Sequence, residues 1–133
     1  MKAFSYKNFY KDFMHKRALL IGCFKLDNYD VFVGKNNVQN DYLTLKFAND
    51  NDLWFHTKDI HGSHVILKAD KPISDDILVK AAEIAAKHSQ AKESSNVPVD
   101  YCKVQYVKKP NSSKPGMVIF TNNKTLNVNP LKA

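Results

Sequence analysis

Alternate residues Trp54, His56 and Lys58 would share one face of a strand over residues 53–58, leaving Leu53, Phe55 and Thr57 on the other. An indole, an imidazole and an ammonium in line suit RNA. Trp54 can stack a base or ribose, His56 can donate or accept a hydrogen bond, and Lys58 can meet a phosphate. The competing reading places Trp54, the chain's one tryptophan, in the core. His56, His61 and His64 fall within nine residues, so zinc is the other chemistry to weigh. A zinc centre needs three or four converging ligands, usually completed by Cys or a carboxylate. This spacing is not HExxH and no cysteine is close, so neither a metal nor a cofactor is expected.

Two other segments are chemically marked. Gly34-Lys35-Asn36-Asn37-Val38-Gln39-Asn40-Asp41 sets a glycine, a lysine and four amide side chains where a strand gives way to a helix. Free backbone N–H groups at such a corner suit an anion, and Lys35, Asn36, Asn37 and Asn40 are the candidate contacts. The segment is neither a Walker loop nor a dinucleotide fingerprint, and an ordinary Asn-capped turn is the alternative. Residues 108–116 carry Lys108, Lys109 and Lys114 with no acidic residue, a composition that favours phosphate over mere solvation of lysines. His64 joins the candidates as the first residue of the next strand. Catalysis is not expected. GxSxG is absent, Asp75-Asp76 read as first-turn residues of a helix, and the serines lie in turns with nothing to activate them.

The elements that must position these residues follow from pattern. The chain's 133 residues fit one domain, and 44% hydrophobic with 25% charged residues excludes a disordered tail, a collagenous repeat or a coiled coil. Its longest apolar run, residues 18–24, is far short of the ~18 residues of a membrane span, and no cleavage site follows it. Cys23 and Cys102 stand alone, as free thiols do in a reducing compartment, so the expectation is a cytoplasmic protein with no membrane partner. The net charge of +7 is unevenly placed. Residues 1–26 hold six basic residues and one acidic, residues 27–100 eight and twelve, and residues 101–133 six and none. Two basic ends around a mildly acidic middle point to an anionic partner, nucleic acid above all.

Phe9, Tyr10 and Phe13 share a helical face, so residues 1–17 are expected to dock as a short helix. Residues 18–24 and 29–34 read as strands about an Asp27-Asn28 turn. A helix is expected over 40–49, strands over 53–58 and 64–68, and a helix over 75–91 with Ser74 as its N-cap. A strand from Tyr101 and a hairpin ending at Leu126 and Val128 complete the chain. The fold class is α+β: a mixed sheet of about six strands covered by two main helices.

In order along the chain stand Val33-Gly34-Lys35-Asn36-Asn37, Gln39-Asn40-Asp41, Asn51-Asp52-Leu53-Trp54-Phe55-His56, Lys58-Asp59-Ile60 and Gly62-Ser63-His64-Val65. Pro98-Val99-Asp100-Tyr101, Lys108-Lys109-Pro110, Lys114-Pro115-Gly116-Met117-Val118 and Thr125-Leu126-Asn127-Val128 follow. Together these blocks resemble the NFACT-R module, the RNA-binding domain of NFACT proteins, across residues 24–130, roughly four-fifths of the chain. His61 departs from the proline usual there, and residues 1–23 match nothing in the module, so they are read as an N-terminal extension. The large N-terminal domain, helix-hairpin-helix segment and coiled coil of full members are not in this chain, which is expected to be a stand-alone module. The resemblance implies a non-enzymatic module that binds tRNA or ribosomal RNA in ribosome-associated quality control, with the large ribosomal subunit as a wider partner. The alternative is a protein-docking module for a ribosomal protein or a separate NFACT partner, a family long labelled fibronectin-binding.

Overall fold

Asp27 takes a left-handed backbone, φ 54, and so closes the first hairpin at the Asp27-Asn28 turn. In the computed structural model, which describes residues 21–132, this turn joins β1 (Ile21–Leu26) to β2 (Tyr29–Gly34), with Ile21 opposite Gly34 and Leu26 opposite Tyr29. The docked helix expected over residues 1–17 lies outside the described residues. After β2 the Asn36 side chain accepts the Gln39 N–H at 2.9 Å and caps α1 (Asn37–Tyr42). A π-helical turn over Leu43–Phe47 continues it, so the helix expected over 40–49 starts three residues earlier and widens halfway.

Next come β3 (Leu53–Thr57), β4 (Val65–Leu67) and α2 (Asp75–Lys87). Ser74 accepts the Ile77 N–H at 3.3 Å, and Asp75 and Asp76 sit in the first turn, where the helix dipole favours acids. The helix ends at Lys87, short of residue 91, because Ser89 donates back to the Ala86 carbonyl at 2.7 Å and accepts the Ala91 N–H at 3.0 Å. β5 (Val97–Lys103), a 3-10 turn over Val104–Tyr106, the short pair β6 (Val107–Lys108) and β7 (Ile119–Phe120), and β8 (Lys124–Val128) complete the fold.

The large sheet has six strands in the order β1-β2-β4-β3-β5-β8. All five of its pairings are antiparallel, where a mixed sheet was expected within the same α+β class. Both faces are covered. Val31, Val33, Phe55, Val65 and Leu67 pack against Ile77, Ala81, Ile84 and Ala85 of α2, whose alanines let it lie close. Phe32, Trp54, Ile66 and Cys102 pack on the opposite side against Leu43, Phe47, Val107 and Phe120. A central strand buried twice reads as a continuous apolar run, which is why Val65-Ile66-Leu67 shows no alternation. Where β3 begins, buried Asp52 meets buried Lys68 at 2.5 Å and accepts the N–H groups of Asn49 and Ala69, each at 2.8 Å. Loss of either charge would strand the other in the core.

Candidate nucleic-acid interface

The row predicted from β3 is not an open platform. Trp54 is 1% exposed, because the π-helical turn and the β6–β7 pair cover its face of the sheet. Its ring stacks on His56 at 5.8 Å, meets His64 edge-on at 5.4 Å and touches Phe120 at 4.7 Å. The stacking role expected of Trp54 is therefore corrected to a core role. His64 is corrected likewise. It is buried, shares a 2.8 Å hydrogen bond between Nδ1 and the Thr44 hydroxyl, and burial above all pushes its pKa down to about 3. Neutral His64 at physiological pH adds nothing to phosphate attraction. Asn40 is buried too, its Oδ1 accepting the His64 N–H at 3.0 Å, so its side chain ties α1 to the sheet and is not offered outward.

His56 is half-buried, and burial holds its pKa below the ordinary value. Lys58 is exposed at the end of β3, 3.8 Å from the buried Asp100 carboxylate. Among the described residues no three His, Cys, Asp or Glu side chains are grouped to hold a metal ion.

What the fold does assemble is a cleft of about 530 Å³ at one end of the sheet. The corner between β2 and α1 supplies Lys35, Asn36 and Asn37, the loop after β3 supplies His61 and Ser63, and the end of α2 supplies Lys87 and His88. Gln90 and Lys92 close it, and no carboxylate lines it. Its floor is held by backbone bonds, Ser63 N–H to the His88 carbonyl and Gln90 N–H to the His61 carbonyl, each 2.9 Å. A Cβ on Gly62 would lie 2.8 Å from the Ser89 Cβ, so only glycine lets the loop come this close to α2. These contacts also engage the carbonyls at the end of α2, whose partial negative charge would otherwise oppose an anion. Burial, then the neighbouring Lys87 and Lys35 ammoniums, hold the His88 pKa below its ordinary value. The same positive field would greet a phosphate.

The basic loop sits beside this cleft. Lys108 and Lys114 are exposed, as expected. Lys109 differs: its ammonium lies 3.1 Å from the Asp41 carboxylate and hydrogen-bonds the Lys114 and Met117 carbonyls. Asp41 also accepts the Gly116 N–H at 2.9 Å. A loop without acids in sequence thus borrows one from α1, and Lys109 anchors the loop where a phosphate contact was expected.

The fold brings Lys35, Asn36 and Asn37 to the cleft, with the loop that carries Lys108 and Lys114 pinned to α1 by Asp41; Lys58 and His56 are not among the cleft's lining. Sequence reasoning missed Lys87, Gln90 and Lys92, weighed His61 only for zinc, and set His88 aside as a boundary residue. Three lysine or histidine positions in 87–92 are a local signal, but nothing local says they meet residue 35.

A family model described as the NFACT protein RNA binding domain matches residues 19–122. The Rqc2 homolog RqcH of Bacillus subtilis (strain 168) is 51% identical over 100 residues, covering 75% of this chain and 17% of that protein. The Rqc2 homolog RqcH of Streptococcus pneumoniae (strain D39 / NCTC 7466) is 47% identical over 100 residues, 75% of this chain and 18% of the relative. Among solved structures, the C-terminal part of the fibronectin/fibrinogen-binding protein from Streptococcus suis superposes with a TM-score of 0.76 at 45% identity. That match covers 79% of this chain and 42% of the solved one. The chain thus spans under a fifth of the length of these two curated relatives.

Proposed function

Because this chain belongs to the NFACT-R family of RNA-binding domains, we propose that it is a non-catalytic module that binds tRNA or ribosomal RNA in ribosome-associated quality control. The observation that carries this reading is the cleft, where Lys35, Lys87 and Lys92 converge from separated segments with no carboxylate in the lining. Lysines gathered this way lower the free energy of an approaching phosphate and release its counterions. Asn36 and Asn37 belong to the same wall, and Lys108 and Lys114 extend the basic surface beyond it. Attachment to the large ribosomal subunit and a cytoplasmic location belong to the same proposal. Among the described residues no helix is long and apolar enough to cross a membrane.

Binding of tRNA and of a ribosomal RNA fragment, titrated across salt concentrations, tests the proposal. Each single-strand phosphate contact contributes about 0.7 to the slope of log affinity against log salt, so Lys35→Ala, Lys87→Ala and Lys92→Ala together should flatten it by roughly 2. Folded protein with no RNA affinity at low salt, or a slope indifferent to the triple variant, would refute the reading. The second reading, docking to a ribosomal protein or a separate NFACT partner, is favoured by one feature. Val38, Met117 and Ile119 are 67%, 56% and 59% exposed, large apolar side chains that a protein interface would cover. Binding of that kind should change little with salt.

A further inference from the structure

We infer that the cleft at the end of α2 takes one unstacked nucleotide of an RNA chain, so that the module prefers single-stranded RNA to duplex. This rests on the RNA-binding reading and deepens it by naming what the cleft holds. Three observations support it.

The first is shape. A concavity of about 530 Å³ has room for a small molecule, by volume in the ~300–1,000 Å³ range of ligand pockets, and opens broadly to solvent, as a site for a base on a continuing strand must. A duplex presents a convex phosphate rim and keeps its bases stacked inside, so it can rest on the mouth of such a cleft but not enter it. Single strands can splay a base outward, and proteins that read them stack that base on aromatic or imidazole rings.

The second is the division of side chains within the cleft. Asn36, Asn40 and Ser89 are engaged in capping and in the floor. Ser63 and Gln90 make no side-chain hydrogen bond to another described residue, so their donors and acceptors are open to a base edge, while the Asn37 side chain lies against Gly116 of the basic loop. Lys35, Lys87 and Lys92 face no carboxylate in the lining and are matched to the phosphate.

The third is the pair of imidazoles. His61 is exposed and His88 half-buried, and residues 61–63 and 88–90 are laced together by the backbone bonds of the floor. His88 is steadied further by the Phe24 ring, 5.8 Å away. The backbone that carries both rings is held by this floor, so less ordering is needed when a base arrives. A neutral imidazole, which burial and then the neighbouring lysines favour at His88, stacks without adding repulsion to them.

The test uses the full chain with a fluorescein-labelled short single-stranded RNA, the same sequence as a blunt duplex, and adenosine 5′-monophosphate or inorganic phosphate as competitors. The single strand should bind roughly tenfold tighter than the duplex, within what one stacked base contributes. Adenosine 5′-monophosphate should displace it at concentrations where phosphate does not. His61→Ala with His88→Ala should lower single-strand affinity about tenfold, toward that of the duplex. His88 follows the last residue of α2, so Lys87→Gln with Lys92→Gln, away from the core, serves as a second variant and should weaken the single strand. Photocrosslinking of a 4-thiouridine-labelled strand should map to residues 61–63 or 87–92. Equal affinity for strand and duplex with no competition by the nucleotide, or crosslinks confined to the 108–116 loop, would overturn the inference and leave the RNA-binding reading standing. Absence of any RNA binding at low salt would overturn both.

Discussion

Gly34→Ala should be among the most damaging small substitutions in this chain. A Cβ at that position would lie 2.1 Å from Asn40 Oδ1, 3.0 Å from the Asn40 nitrogen and 3.1 Å from its Cα. The side-chain oxygen would have to retreat by more than an ångström to reach ordinary contact, yet it is held at 3.0 Å by the His64 N–H. If the Asn40 side chain swings away, that buried N–H loses its partner, at about 1–3 kcal/mol. The displaced rotamer and crowded backbone add strain of about 1 kcal/mol. A total near 2–4 kcal/mol is a large fraction of the stability of a domain this size. A double-mutant cycle in urea separates the parts. Asn40→Ala removes the oxygen and already leaves the His64 N–H bare, so adding Gly34→Ala to that background should cost only about 1 kcal/mol, against 2–4 alone. The coupling should therefore be about 1–3 kcal/mol, with the double variant less unstable than additivity demands. Equal costs in the two backgrounds, or a Gly34→Ala protein as stable as the parent, would show that β2 and α1 do not meet as described.

Trp54→Ala should lower stability by about 3–5 kcal/mol, as for other large-to-small core changes. Trp54→Phe, which loses no hydrogen bond because the indole nitrogen has no partner among the described residues, should stay folded and bind RNA as the parent does; a stable Trp54→Phe that fails to bind would restore the stacking role. His64 titrates near 3 in the fold and near 6.5 unfolded, so between these values the unfolded chain holds the extra proton. Stability should be full above 6.5 and fall as pH drops toward 3, by up to about 1.4 kcal/mol per pH unit from this residue. His56, its pKa also lowered, acts in the same direction. Melting temperatures of His64→Gln should fall less steeply with acid than the parent's, and parallel curves would contradict the burial of His64. Lys108→Ala with Lys114→Ala should flatten the salt slope of RNA binding by about 1.4, from two phosphate contacts. Lys109→Met should leave that slope nearly unchanged but open residues 109–117 to proteolysis; the reverse pattern would return Lys109 to the RNA.

Local chemistry alone specified much of this protein. The Asp27-Asn28 turn, the Ser74 cap with its two acids and the α+β class with about six strands are all legible in the amino acids, because caps, turns and periodicity act over a few residues. The ordered blocks from Val33 to Val128 likewise carried the family. Burial depends on the whole fold. Trp54 lies on a face that alternation marks as polar, and only the packing of the π-helical turn and the β6–β7 pair upon it makes that face a second core. The basic loop is free of acids for nine residues, yet Asp41, distant in sequence, neutralises Lys109 across space. The cleft itself has no sequence signature, since residues 35–37, 61–63 and 87–92 become neighbours only when antiparallel pairing and the docking of α2 close the loops between them. Charge and hydrogen-bond potential are properties of a residue, whereas what they meet is decided by contacts between distant segments, and that is where the tertiary structure alone decides.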